Sequence, residues 1–259
     1  MANNVFTVQN LSFAYEKDKP IFSDLNLTLT EGVVTTLIGA NGSGKSTLFN
    51  LMTKNLKPDA GKIYLRGGEV SLIRLRDFAK LVAIVHQSNT APADLSVERL
   101  VEYGRYPHRT MTRSAQTEED ERMVAWALKT TGLTEYKDKP ATSLSGGQRQ
   151  RAWIAMALAQ GTDVLLLDEP TTYLDVRYQL DILRLVRSLN REYGLTVIMV
   201  LHDINQSLHY SDEVVALADG QIIAKGDPAD VISPELVKQV YKVDLEVTEV
   251  HGKPFVLAV

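Results

Sequence analysis

The segment Gly39-Ala40-Asn41-Gly42-Ser43-Gly44-Lys45-Ser46, which follows the β-branched run Val33–Ile38, determines the fold class of this chain. It matches the pattern G-x-x-x-x-G-K-[ST], in which glycines let backbone N–H groups turn inward around phosphate oxygens. Residues 45–54 look helical, and the N-terminus of a helix favours an anion through its dipole. In such a loop Lys45 supplies a positive charge to the β- and γ-phosphates, and Ser46 offers a hydroxyl to Mg²⁺. We therefore expect a nucleoside triphosphate to contact Gly39, Asn41, Gly42, Ser43, Gly44, Lys45, Ser46 and Thr47.

A pair of acidic residues comes directly after another apolar run, Val164–Leu167. In an open parallel sheet, ligands gather beyond the carboxyl ends of the strands. We expect Asp168 to hold Mg²⁺ through water there, and Glu169 to activate the attacking water as general base. Two acids after a strand are by themselves compatible with a plain polar turn, but beside a phosphate loop they indicate hydrolysis.

Strand-like and helix-like stretches alternate along most of the chain, which predicts an α/β fold with a parallel sheet and flanking helices. The first 30 residues are interpreted as antiparallel strands joined by the polar turn Glu16–Pro20. Lys62–Leu65 and Val70–Ile73 are predicted to form a small hairpin. Residues 90–160 are mostly helical in character, and one helix is predicted to begin at Thr117, because three acidic residues follow it in the first turn. The last 30 residues hold a helix at Pro234–Tyr241 and a strand pair around Gly252.

Composition and charge limit the classes of function. The net charge of −4 gives no sign of a nucleic-acid partner, and the absence of cysteine excludes disulfides and thiolate metal sites. The N-terminal residues lack a basic region followed by a long apolar stretch, so no secretory signal is expected. The longest apolar runs are far shorter than the roughly 20 residues that span a bilayer. If the protein works at a membrane, we expect other chains to cross it.

The segment Leu144-Ser145-Gly146-Gly147-Gln148 precedes a predicted helix at Arg149–Ala159. Ser145 and Gln148 form the sequence pattern of a capping box. Two glycines in a first helical turn each cost roughly 1 kcal/mol relative to alanine, and capping gives no reason for them. Exposed N–H groups at a helix start are instead suited to an anion.

This segment resembles the signature of the ABC transporter family, L-S-G-G-Q, without departure, and the resemblance covers essentially the whole chain. It implies a single ABC ATPase domain over residues 1–259. A P-loop NTPase (RecA-like) core with an antiparallel β subdomain would span residues 1–88 and 161–259, and a helical subdomain would be inserted at residues 89–160. The cofactors implied are ATP and Mg²⁺. Ser145, Gly146, Gly147 and Gln148 would contact the γ-phosphate of ATP held by the opposite subunit.

Four further residues match family positions, and the resemblance implies their roles. Gln87 would touch Mg²⁺ and link the core to the helical insert. His202 would contact the γ-phosphate, Asp175 would lie across the dimer interface, and Tyr15 would stack on adenine. We thus expect Glu169, His202 and Gln87 to be catalytic. We expect Ser46, Gln87 and Asp168 to bind the metal ion.

Three positions depart from the usual family pattern. His86 stands where a proline often precedes the glutamine, and Tyr173 replaces a residue that is small in many members. Lys137-Asp138-Lys139-Pro140 stands where the family often has an arginine before the signature.

The resemblance also indicates the partners and the cargo. A second copy of the chain would complete an ATP-sandwich dimer, held at the cytoplasmic face of the membrane by integral membrane permease subunits. An extracytoplasmic substrate-binding protein would act indirectly, and no nucleic acid is expected. Ser96–His108 looks like the insert of importers for iron–siderophores, haem and vitamin B12, although Arg105, Tyr106 and His108 are also compatible with an ordinary polar helix end. We favour iron–siderophore import over haem or vitamin B12. A non-transport ABC ATPase is a further alternative, but such translation factors usually carry two cassettes in one chain and such repair ATPases a long coiled coil, and the sequence shows neither. A phosphate-loop kinase is another, and it would not need Ser145–Gln148 or His202.

Overall fold

A computed structural model describes residues 3–109, 117–250 and 253–257. Its strands, in chain order, are β1 (Asn4–Glu16), β2 (Lys19–Thr30), β3 (Val34–Ile38), β4 (Ala60–Leu65), β5 (Gly68–Glu69), β6 (Val82–Val85), β7 (Val164–Asp168), β8 (Thr196–Val200), β9 (Glu213–Ala218), β10 (Gln221–Gly226), β11 (Glu246–Val250) and β12 (Lys253–Leu257). Its helices are α1 (Lys45–Met52), α2 (Leu75–Phe78), α3 (Val97–Glu102), α4 (Glu118–Thr130), α5 (Gly146–Ala159), α6 (Val176–Tyr193), α7 (Ile204–Tyr210), α8 (Pro228–Val231) and α9 (Pro234–Tyr241).

The chain packs as two compact units. The first unit comprises Met1–Ile73 and Thr196–Val259, and the second comprises Arg74–Leu195. The predicted division into residues 89–160 and the remainder follows the positions of motifs in the sequence rather than packing, and it stays a prediction.

The first unit contains two larger sheets and a C-terminal hairpin. One sheet is antiparallel in the order β2-β1-β4-β5, which confirms the predicted N-terminal strand pair. In the other sheet, β3 lies between β8 and β9 and is parallel to both, while β10 pairs antiparallel with β9. All residues of β3 and β8 are buried, in keeping with continuous β-branched runs inside a covered sheet. The predicted C-terminal strand pair is confirmed as β11 and β12, with Gly252 outside the described residues.

One predicted strand of this unit is wrong. Val70–Leu72 forms a 3-10 turn, and only Gly68–Glu69 pairs with β4. The side chain of Lys54 explains the difference, because its Nζ donates to the carbonyl oxygens of Val70, at 2.8 Å, and of Ile73. These carbonyls therefore turn toward a lysine instead of a neighbouring strand.

The second unit combines a parallel strand pair with helices. β6 and β7 run parallel, with Val85 opposite Leu167. Helix α4 begins where the sequence predicts, because Thr117 caps it with a reciprocal capping box to Asp120. Helix α6 ends at Tyr193 and is followed by Gly194, whose φ of +69° is the left-handed conformation typical of a helix C-terminus. Over the described parts of the chain, no helix is long and apolar enough to cross a membrane.

Candidate nucleotide site

The phosphate loop joins the buried strand β3 to helix α1 in the first unit. Gly39 has a φ of +154°, and a Cβ there would lie 2.4 Å from the carbonyl oxygen of Leu217. Gly44 has a φ of +104°, and its Cβ would lie 2.8 Å from the ring of Phe22. Both positions thus exclude a side chain, on grounds of conformation and space together. This loop has the tight backbone path that its sequence predicts.

The polar groups inside the loop fit an anionic ligand. Lys45 is 4% exposed, and its Nζ donates to the carbonyl oxygens of Gly39 at 2.8 Å and of Ala40 at 2.9 Å. Ser43 is also buried, and no hydrogen-bond partner for its Oγ is found among the residues described. A buried hydroxyl without a partner is rare in native proteins. A phosphate oxygen at this place would accept from Ser43 and balance the charge of Lys45.

Tyr15 lies beside the phosphate loop, as expected for a residue that stacks on the base. Its hydroxyl is 3.4 Å from Oγ1 of Thr47, the buried residue that follows Ser46 in α1. The Phe13 ring packs edge-on against the Tyr15 ring, with centroids 5.0 Å apart. Tyr15 remains 61% exposed, so a ring face is open to a planar ligand. The sequence did not single out Phe13, whose contact orients that ring.

His202 lies at the same edge of the sheet as the phosphate loop. Leu37 of β3 is opposite Val200 of β8 in a parallel register, and the N–H of Leu201 donates to the carbonyl of Leu37 at 3.3 Å. The residues after both strands therefore leave the sheet side by side. His202 is exposed, and Asp203 after it caps α7 by accepting from the N–H of Gln206 at 3.0 Å.

Gln87 and Glu169 are brought together in the second unit. Because β6 and β7 are parallel, the segments after them leave the sheet at the same edge, and Nε2 of Gln87 donates to Oε2 of Glu169 at 2.5 Å. The hydroxyl of Thr172 donates to the same oxygen at 3.0 Å. Glu169 itself has a φ of +48°, an uncommon conformation for a residue with a side chain. Asp168, the last residue of β7, is 9% exposed.

One glycine of the signature segment, Gly147, has a structural reason that the sequence did not reveal. Ser145 and Gln148 do form the predicted capping box at the start of α5, with bonds of 3.0 and 3.4 Å. A Cβ on Gly147 would lie 2.5 Å from the ring of Tyr178 in α6, whereas one on Gly146 would meet only the end of Leu174, at 3.3 Å. The packing of Tyr178 therefore accounts for Gly147, whose presence the capping box does not explain.

The residues around Asp175 are markedly exposed. Tyr173 is 91% exposed and has a φ of +61°, and Asp175, also exposed, directly precedes α6. A left-handed conformation at a residue other than glycine costs about 1–3 kcal/mol, and such strain clusters at functional sites. This position fits a partner chain, in line with the role that the family resemblance implies for Asp175.

The segment that resembles importer inserts has a structural role in the second unit. Arg105 is buried, and its Nε is 2.8 Å from Oδ1 of Asp120, while its Nη1 donates to the carbonyl of Ala159 at 2.8 Å. Nε2 of His108 lies 2.8 Å from the carbonyl oxygen of Gln160. Both side chains thus bind backbone carbonyl groups at the C-terminal end of α5. Neither is a solvated polar side chain at the end of its own helix. Tyr106 is 56% exposed.

The described residues contain no group of three or more His, Asp or Glu side chains that could hold a metal ion by themselves. Magnesium at nucleotide sites is held by one or two protein oxygens together with phosphates and water. The predicted donors are a serine hydroxyl, a glutamine carbonyl and a carboxylate, all of them hard oxygen ligands. This donor set suits Mg²⁺.

Known proteins resemble this chain along nearly its whole length. The family model described as ABC transporter matches residues 22–172. The iron(3+)-hydroxamate import ATP-binding protein of Bacillus subtilis is 46% identical over 94% of this chain and 90% of its own length. The petrobactin import ATP-binding protein of Bacillus anthracis is 44% identical, over 95% and 90%.

A solved structure extends the likeness to the fold. It is the dimeric, post-hydrolysis state of an ATP-binding cassette with bound ADP and phosphate, and it is 28% identical to this chain. It superposes with a TM-score of 0.72 over 86% of this chain and 98% of its own. Because the family model covers more than half of the chain and close relatives cover almost all of it, the chain belongs to the ABC transporter family, as one of the cassettes that bind and hydrolyse ATP.

Proposed function

We propose that this cassette powers the uptake of iron–siderophore complexes through a separate integral membrane permease. The observation that supports this assignment of the cargo is the agreement between relatives. Two relatives above 40% identity, from different species, are import ATP-binding proteins, for iron(3+)-hydroxamate in one case and for petrobactin in the other. Because the chelates differ, the shared feature is the class of cargo, and the cassette is expected to serve that class.

The chemistry proposed for the site is the attack of water on the γ-phosphate of ATP, with Glu169 as general base. The bonds from Gln87 and Thr172 to Oε2 of Glu169 support this role, since they hold the carboxylate in a fixed orientation at the end of β7. His202 would contact the γ-phosphate from the edge that it shares with the phosphate loop. Ser46, Gln87 and Asp168 would hold Mg²⁺, which neutralises charge on the phosphates when bound.

We further propose that two copies act as a dimer that shares its nucleotides. Ser145–Gln148 and Asp175 of one copy would face the ATP bound by the other. The exposure of Tyr173 and Asp175 supports a partner at this surface, and a related cassette has been solved as a dimer. The dimer would close when ATP binds and open after hydrolysis. The helical insert would transmit this motion to the permease at the cytoplasmic face of the membrane. An extracytoplasmic substrate-binding protein would deliver the chelate.

Replacement of the proposed base tests the hydrolytic mechanism. Glu169→Gln keeps the shape of the side chain but removes its basicity, so turnover should disappear while ATP binding remains and a closed dimer accumulates. ATPase assays, nucleotide binding and size-exclusion chromatography with ATP measure these three properties. Glu192→Gln, an exposed change of the same chemistry, is the matched control. Steady-state hydrolysis at the normal rate in Glu169→Gln would remove Glu169 from this role.

The transport assignment is tested in cells. Purification of the tagged chain from membranes should recover a polytopic permease, and deletion should abolish growth on iron–siderophore complexes while growth on free iron salts persists. Recovery of ribosomes or DNA instead would point to a non-transport ATPase. Growth defects confined to haem or vitamin B12 would redirect the cargo and leave the ATPase role intact.

A further inference from the structure

The C-terminal segment, residues 228–250 and 253–257, packs on the elements that carry the nucleotide-site residues of the first unit. Val237 and Val240 of α9 and Val256 of β12 belong to one buried hydrophobic cluster. That cluster also contains Ile38, the residue directly before Gly39, and Leu208 of α7. This segment lies beyond the residues that the family model matches. It nonetheless shares a core with the start of the phosphate loop and with the helix that follows His202.

Asn205 ties α7 to the C-terminal hairpin by two hydrogen bonds. Its Nδ2 donates to the carbonyl oxygen of Val256 at 3.0 Å, and its Oδ1 accepts from the N–H of Val256 at 2.8 Å. Val256 is 2% exposed. The asparagine amide therefore pairs with the backbone of β12 as a neighbouring strand would, at a buried place where unpaired backbone groups are costly.

Tyr241, the last residue of α9, supports a link to the same part of the site. Its hydroxyl is buried and has no hydrogen-bond partner in the described part of the chain. Burial raises the pKa of Tyr241 to about 12. The backbone of Gly39 acts in the opposite direction, and the charge of Asp203 adds to the rise. Tyr241 also packs against the hydrophobic cluster that contains Ile38 and Leu208, so its side chain joins α9 to the strand before the phosphate loop and to α7.

Helix α7 needs such support, because it has only seven residues. A helix of this length is not stable by itself, so its position depends on contacts with the rest of the protein. Asp203 caps it locally, but that bond lies within the same segment and does not anchor it elsewhere. The amide of Asn205 and the packing of Leu208 supply that anchor.

We propose that Asn205 is a positioning residue for ATP hydrolysis, through which the C-terminal hairpin holds the start of α7 and thereby His202. This inference rests on the role proposed above for His202. Asn205 lies three positions after His202, so loss of its two bonds would release the turn that aims the imidazole. Misplacement of a catalytic group by about 1 Å can slow a reaction by up to about a hundredfold. The phosphate loop is held by β3 and α1, so ATP binding should change little.

The test compares Asn205→Ala with a matched control in the full-length chain. Asn26 has the same two kinds of bond, since its Oδ1 accepts from the N–H of Asn10 at 3.0 Å and its Nδ2 donates to the carbonyl of Asp24 at 2.9 Å. With rates expressed per bound nucleotide, Asn205→Ala should lower kcat about tenfold and change KM for ATP less than threefold. Asn26→Ala should leave both unchanged. A kcat for Asn205→Ala within twofold of the wild type, or an equal loss in both variants, would overturn the proposal.

A double variant separates positioning from general damage. If Asn205 acts through His202, Asn205→Ala should add almost nothing to the loss caused by His202→Ala, as measured by single-turnover hydrolysis. Effects that multiply would contradict the proposal. Full activity in His202→Ala would instead refute the proposed role of His202 and this inference with it. If Asn205→Ala does not fold, Asn205→Asp keeps the acceptor and loses the donor, and its kcat should fall measurably below that of Asn26→Asp.

Discussion

Removal of the Asp120 carboxylate should destabilise the second unit without altering the chemistry of the site. In the folded chain this carboxylate accepts from Nε of Arg105 at 2.8 Å and from the N–H and hydroxyl of Thr117 at 3.1 and 2.9 Å. The side chains of Arg105 and Asp120 are only 6% and 5% exposed. Asp120→Ala therefore leaves a guanidinium buried with backbone carbonyls as its remaining contacts.

The expected magnitude follows from this burial. Breaking a buried ion pair by removing one partner costs about 3–5 kcal/mol, because the other charge stays desolvated. In a chain of this size, 1 kcal/mol lowers Tm by about 2–4 °C, so Tm should fall by roughly 6–20 °C. Asp77→Ala removes the partner of Arg74 from a surface pair whose side chains are 86% and 41% exposed, and it should cost less than about 1 kcal/mol.

Thermal unfolding followed by circular dichroism measures both variants, and ATP hydrolysis at 25 °C is compared per folded molecule. We expect Asp120→Ala to hydrolyse ATP at the wild-type rate while it remains folded. A Tm as high as that of Asp77→Ala would refute the interpretation that Arg105 has a structural role. Loss of hydrolysis with an unchanged Tm would show instead that the segment acts in function.

The same pair predicts a dependence on pH. Burial opposes the charge on Asp120, but the bonds from Arg105 and Thr117 outweigh it and hold the pKa of the carboxyl below its ordinary value of 3.8. A carboxyl with a lowered pKa stabilises the fold fully above its unfolded pKa and loses this contribution as the pH falls through the folded pKa. The difference in unfolding free energy between wild type and Asp120→Ala should therefore shrink below about pH 4.

Two further predictions concern Gly147 and Tyr241. Gly147→Ala should lower the unfolding free energy by up to about 2 kcal/mol in urea titrations, because overpacking against Tyr178 exceeds the gain in helix propensity. Gly146→Ala is its control, and an equal loss in both would contradict the steric explanation. Tyr241→Phe should keep its stability at pH 7, since the hydroxyl has no hydrogen-bond partner among the described residues. With a folded pKa of about 12 against an ordinary 10.0, the wild type should lose more stability than Tyr241→Phe between pH 10 and pH 12, and parallel curves for both proteins would count against a buried phenol.

Much of the fold could be predicted from the sequence because its signals are local. The β-branched run before Gly39, the cap at Thr117 and the polar turn after Glu16 all act within a few residues, and the structure confirms the strand, the helix start and the hairpin that they predict. The strand predicted at Val70–Ile73 is wrong because a contact from outside the segment decides its structure. Its composition suits a strand, but the side chain of Lys54, which follows α1 in the chain, donates to its carbonyl groups.

The candidate site shows the same division. The sequence by itself determined the phosphate loop, because glycine conformations and a lysine at fixed spacing suffice to build it. Only the tertiary structure decided which residues support the chemistry. Gln87 meets Glu169 across 82 positions and Asn205 meets Val256 across 51, while Tyr178 of α6 explains Gly147 in α5. Contacts between such distant positions depend on how strands and helices pack. This packing is determined by the burial of apolar surface over the whole chain, so a short pattern of residues does not predict it.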